Sequence, residues 1–289
     1  MRKRGVQYVS YHIRDTIPYI NWTYFFHAWG FEIRFANVTN IQDFPEEERS
    51  KAVEALQLYK EAGYMLRELD RDFCVQTLFK LCKANADGDN LLLDTVVLPL
   101  LRQQSRKQNE NYYLCLSDFV RPLVSGVADT VGIFASSVDK NMERLYENDP
   151  YKHLLVQTLA DRLVEAATEK MHEYVRKTIW GYAKEENLSV KELLLEKFQG
   201  IRPATGYPSL PDQSVNFILN DILDMKQIDI TLTENGAMSP HASVCGLMFA
   251  HPAARYFSVG KINGEQLTDY AMRRGKTVEE MKKFLKNYS

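Results

Sequence analysis

The stretch Asn85-Ala86-Asp87-Gly88-Asp89-Asn90 limits what this chain can fold into more than any other. It divides two apolar runs between Val75 and Val97, and an Asp-Gly pair in that setting is a hairpin turn signal. An antiparallel pair of strands follows. A further strand is expected at Thr130 to Ala135, beyond Gly126, and others near Ile228 to Thr233, Ser243 to Phe249 and Tyr256 to Ile262.

Helical patterns are mixed among these strands. From Glu46 to Asp70, Val53, Leu56, Tyr59, Leu66 and Leu69 recur at helical spacing behind the acidic turn Glu46-Glu47-Glu48. The longest helix is expected from about Pro150 to Trp180, with Leu155, Leu159, Leu163, Ala166 and Tyr174 on its inner stripe. Asp161, Arg162 and Glu165 then share one turn. Ser189 with Glu192 forms a capping box, as does Thr277 with Glu280, and a short helix fits Ser214 to Met225. A last pair of helices is divided by Gly275. With no βαβ rhythm, the class is α+β rather than a doubly wound sheet.

The first twenty residues carry no helical period, so residues 1–16 read as an arm and 17–289 as the domain. Ile17-Pro18-Tyr19-Ile20 implies extended backbone. The aromatic run Trp22, Tyr24, Phe25, Phe26, Trp29, Phe31 reads as core.

Composition removes several functions. Thirty-six basic and 38 acidic residues give a net charge of -2, which supplies no field for nucleic acid or an anionic membrane. The longest apolar stretch, Leu91 to Leu101, is broken by Asp94 and Pro99 and is too short to span a bilayer. Cys74, Cys82, Cys115 and Cys245 lack metal spacing, and His241 and His251 sit beside prolines as turn residues do. A chain without an apolar signal core is expected in the cytoplasm.

The chemistry concentrates in Gly200-Ile201-Arg202-Pro203-Ala204-Thr205-Gly206-Tyr207-Pro208. Two prolines stiffen this loop, its glycines admit a ligand close to the backbone, and an arginine can clamp a carboxylate with two parallel hydrogen bonds. On residues alone, it serves equally as a rigid connection.

Matches in order along the chain go further. They include Tyr19-Ile20-Asn21-Trp22-Thr23 with Phe25-Phe26, Leu159-Ala160-Asp161-Arg162-Leu163, and Trp180-Gly181-Tyr182-Ala183. Gln199 to Ala204 with Gly206-Tyr207-Pro208, Leu232-Thr233-Glu234, Ala242-Ser243-Val244, His251-Pro252 and Tyr256 complete them. From about Tyr19 to Phe284 the chain resembles the activation domain of cobalamin-dependent methionine synthase.

The resemblance implies a single curved α+β domain with a twisted antiparallel sheet flanked by helices. It also implies an S-adenosylmethionine site at the loop. Arg202 would hold the methionine carboxylate, with backbone near Ala204 and Gly206 meeting the ligand. Tyr207 and Tyr256 would pack beside it, and Glu165 would project from the long helix. Asn21 stands where the family usually has an aspartate for the ligand's ammonium group; Thr205 and Gln213 differ too. Asp161 would face the cobalamin partner.

The six histidines include no Asp-x-His-x-x-Gly cobalamin motif, so cobalamin would sit on a partner methionine synthase chain. The implied role is reactivation: a flavodoxin-like donor supplies one electron and S-adenosylmethionine a methyl group to cob(II)alamin. The alternative is a docking or assembly protein of the same fold that has lost S-adenosylmethionine. A Rossmann-type methyltransferase lacks support, since no Gly-x-Gly follows a strand.

Overall fold

The Asp-Gly turn forms: Asp87 and Asn90 are partnered across it, and Gly88 takes a left-handed φ of 56°. The computed structural model describes residues 5–104 and 113–285. The chain starts with β1 (Gln7–His12), the single turn α1 (Ile13–Thr16), α2 (Trp22–Ala28) and the long α3 (Arg49–Asp72). A meander of β2 (Cys74–Asp87), β3 (Asn90–Leu93) and β4 (Val96–Pro99) follows, then β5 (Asp129–Val138). Next come α4 (Pro150–Tyr174), α5 (Val190–Leu194) and α6 (Val215–Leu223). The small strands β6 (Thr231–Leu232) and β7 (Met238–Ser239), then β8 (Ser243–Met248), α7 (Gly264–Arg273) and α8 (Val278–Phe284), complete the order.

The main sheet runs β4-β3-β2-β5-β8, every neighbour antiparallel, while β6 and β7 pair separately. Because β5 occupies one edge of β2 from Val75 to Ala84, β1 and β3 share the other, end after end. The sheet is buried on both faces, as alternation in the strands dictates. Leu78, Cys82, Ile133, Ala135 and Leu247 point into one core, which α6, α7 and α8 help enclose. Val75, Phe79, Phe134, Val138 and Met248 point into the other, beneath α2, α3 and α4. The fold is α+β with a curled antiparallel sheet, as the mixed patterns imply.

Four local expectations are corrected. Residues 7–12 form a strand on β2; its burial is too shallow to leave an alternating apolar pattern. Ile17–Tyr19 is a 3-10 turn rather than extended, with Ile17 at φ -49° and ψ -42° and Pro18 in the first turn, where its missing N–H is tolerated. Tyr256 to Ile262 is not a strand, because Phe257 N donates to Ser209 Oγ and Val259 N to Pro208 O. That backbone is spent on the Gly200–Pro208 loop. On α3, Val53 and Tyr59 are exposed while Ala52, Ala55, Leu58 and Ala62 are buried, since small side chains bring the helix close to its neighbours.

The helix ends follow local rules. Asp149 caps α4 by accepting from Lys152 N, and both capping boxes are formed. Beyond Tyr174 the helix continues as a π-turn over Val175–Ile179, placing Arg176 where it has no exposed surface. All four cysteines are free, and among the described residues no cluster could hold a metal and no helix could cross a membrane.

Candidate functional site

The loop from Gly200 attaches itself to β8 as an irregular extra strand. Ile201 and Phe249 exchange both backbone hydrogen bonds, Leu247 N donates to Pro203 O, and Thr205 N donates to Cys245 O. Gly200 has φ 89°, and a Cβ there would lie 2.1 Å from the Phe249 carbonyl oxygen, so only glycine fits so close a crossing. Past this edge the chain turns sharply: Gly206 N donates to Leu210 O and Leu210 N to Tyr207 O. Gly206 itself has φ 86° with open space where a side chain would be.

Between this loop and α4 lies a cavity of about 630 Å³. Arg202 is its centre. Its Nη2 donates to Glu169 Oε2 at 2.7 Å, and Nη1 stands 3.8 Å from Glu165 Oε2. Burial opposes the charge, but the two carboxylates outweigh it and raise the arginine's pKa. Arg202 N donates to the Tyr256 hydroxyl at 3.0 Å, which ties that ring to the loop; burial pushes the phenol up to about 12.

The remaining wall is aromatic and charged. Tyr19, Asn21, Tyr24, Arg162, Glu196 and Tyr207 line it. The Arg162 guanidinium lies 5.8 Å from the exposed Tyr24 ring, a cation–π distance. Tyr207 is also exposed at the mouth, its pKa raised first by the Glu165 charge and then by burial. Glu196 sits at φ 55°, with its carboxyl pushed up by burial against the lowering effect of Arg202. Such a site, with a fixed cation, several carboxylates and flat rings, suits a small zwitterionic ligand that carries an aromatic base.

The family model for vitamin B12-dependent methionine synthase, activation domain, matches residues 12–275. This chain belongs to that family. The activation-domain fold is also seen in the crystal structure of the MetH reactivation domain bound to AdoHcy, which is 38% identical with a TM-score of 0.89. That likeness covers 98% of this chain and 90% of the other.

In this activation domain the structure gathers Asn21, Glu165, Arg202, Ala204, Tyr207 and Tyr256 around the one cavity. Gly206 shapes the turn beside it. Asp161 stands apart, one helical turn before Glu165, with His241 Nδ1 3.7 Å away. Asn21 is the N-cap residue of α2 but makes no side-chain cap, which leaves its amide available to the cavity.

Sequence reasoning missed Glu169, Arg162, Tyr24, Tyr19 and Glu196. Glu169 had a readable signal, since it follows Glu165 by one turn on the face that carries Arg162. Tyr24 was hidden in an aromatic run read as core, of which Phe25 and Phe26 are buried while Tyr24 is exposed, and Tyr19 in the segment Ile17–Ile20 read as extended.

Proposed function

We propose that this activation domain binds S-adenosylmethionine in the Arg202 cavity and presents its methyl group to cobalamin carried by a separate methionine synthase chain. The half-buried Arg202, held by Glu169 with Glu165 3.8 Å away yet lining the cavity, carries this reading. A guanidinium fixed in this way is preorganised to grip the ligand's carboxylate. Backbone at Ala204 and Gly206 meets the amino acid and adenosine portions, and Tyr207 and Tyr256 pack beside them. Glu165 and Asn21 face the cationic end, while Asp161 lies on the surface offered to the partner.

The contribution of the chain is positioning. Cobalamin on the partner chain, given one electron by a flavodoxin-like donor, would supply the nucleophile for the methyl group, and S-adenosylhomocysteine would be left in the site held by Arg202. AdoHcy, bound in the similar MetH structure, is that product. The four free thiols suit the reducing cytoplasm.

Equilibrium dialysis with labelled S-adenosylmethionine, with Arg202→Ala as control, tests the binding. Adding the chain to a methionine synthase that lacks its activation domain, with a reductant and S-adenosylmethionine, tests reactivation after oxidation. A neutral Asn21 in the cavity favours the second reading, a docking protein of the same fold. Absence of binding at millimolar ligand would sink the first reading and leave the second.

A further inference from the structure

Behind the Arg202 cavity, Glu169 and His172 of α4 and Arg176 of the π-turn that extends it recur at three- and four-residue spacing. His172 and Arg176 have no exposed surface and Glu169 almost none. Arg176 spends Nε and Nη2 on Glu186, at 3.1 and 2.7 Å, and its guanidinium lies 4.1 Å from the centre of the Phe198 ring. The same ring is edge-on to His172 at 5.0 Å. Phe198 therefore pins the start of the loop that delivers Arg202.

Five buried polar atoms on Glu169, His172, Arg176 and Arg202 have no protein hydrogen-bond partner among the described residues: Glu169 Oε1, both ring nitrogens of His172, Arg176 Nη1 and Arg202 Nε. Buried polar atoms are almost always partnered, by protein or by ordered water. Their chemistry is complementary. The carboxylate oxygen accepts and the guanidinium N–H groups donate, while a neutral imidazole does one of each. His172 is held neutral, its pKa driven well down by burial and then by the charges of Arg176 and Arg202.

We propose that His172 is a positioning residue for the ligand arginine: ordered water on its two ring nitrogens links Arg176 to the free oxygen of Glu169, and so fixes the carboxylate that holds Arg202. Water bridges of this kind are nearly as favourable as direct hydrogen bonds. The effect on ligand rests on the S-adenosylmethionine reading above; the effect on Arg202 does not.

The full chain is titrated calorimetrically with S-adenosylmethionine and with 5′-methylthioadenosine, which has the adenosine and sulfur but no carboxylate. His172→Phe keeps a ring in the space without nitrogens, His172→Leu guards against a misfit of that ring, and His172→Gln returns one donor and one acceptor. The Phe and Leu variants are expected to bind S-adenosylmethionine about tenfold more weakly and 5′-methylthioadenosine within about twofold of wild type, with Gln recovering most of the loss. Hydrogen exchange at Arg202 Nε, followed by NMR without ligand, is expected to be about tenfold faster in the Phe and Leu variants. Unchanged S-adenosylmethionine affinity, equal weakening of both ligands, or unchanged Nε exchange overturns the proposal. A wild-type chain that binds neither nucleoside overturns the S-adenosylmethionine reading instead, and the Nε exchange then decides the role of His172 by itself.

Discussion

Glu169 Oε2 lies 2.7 Å from Arg202 Nη2, one turn of α4 beyond Glu165, whose carboxylate reaches only to 3.8 Å of the other terminal nitrogen. Glu169 therefore sets the arginine, and Glu165 is free to act on what enters the cavity. Glu169→Gln keeps the shape and removes the charge. A hydrogen bond to a charged group contributes about 1.5–3 kcal/mol, so S-adenosylmethionine affinity should fall by roughly ten- to a hundredfold in calorimetry. An unchanged Kd would show that the arginine is held by something else.

Asn21→Asp restores a negative charge at the cavity wall. Since charge-assisted bonds are about twice as strong as neutral ones, a gain of about 1 kcal/mol is expected, near fivefold in affinity. The gain should shrink in high salt, because screening weakens exposed charge pairs. Titrations at low and high ionic strength read both effects.

Gly200→Ala places a Cβ 2.1 Å from the Phe249 oxygen, at φ 89°. The expected loss is about 2–4 kcal/mol, or a Tm lower by roughly 5–10 °C. Gly206→Ala has similar backbone strain but open space, so about 1 kcal/mol is expected there. Thermal unfolding of the two variants side by side separates collision from strain.

The Arg176–Glu186 pair is buried on both sides, at 0% and 8% side-chain exposure. Glu186→Ala leaves a buried guanidinium without its counter-charge and should cost about 3–5 kcal/mol in urea unfolding. Replacing both residues with apolar side chains of similar volume should recover most of that loss, because the pair's own desolvation is removed with it.

A histidine buried in neutral form makes stability depend on pH. The folded chain holds the His172 pKa well below its ordinary 6.5, so below that pH the unfolded chain binds the extra proton. The stabilisation is complete above about pH 7 and falls as pH drops from 6.5 toward the folded pKa, by up to about 1.4 kcal/mol per pH unit. Urea midpoints at pH 7 and 5.5 should differ by correspondingly less in His172→Gln. An identical difference in both proteins would rule His172 out as the source.

The hairpin, the long helix and both capping boxes were legible because each rests on signals a few residues apart. β1 and the turn at Ile17–Tyr19 were not, since their conformations come from packing on β2 and α4, which lie far along the chain. Tyr256 to Ile262 has the composition of a strand, but its hydrogen bonds go to a loop whose path is set by β8. The site shows the same division. Arg202 and its loop stand out in the sequence, while Glu169 and His172 look like ordinary helix residues until burial shows what they face.

β1 has one more consequence, which concerns solubility. It covers the half of β2 from Cys74 to Phe79 that β3 does not reach. A chain shortened to begin after His12 would keep the whole Arg202 cavity but bare those backbone donors and acceptors to other molecules. Uncovered strands of this kind recruit further strands, so such a chain is expected to self-associate before it loses its site. The first strand thus works as a guard against aggregation, at the far side of the sheet from the edge that holds the loop.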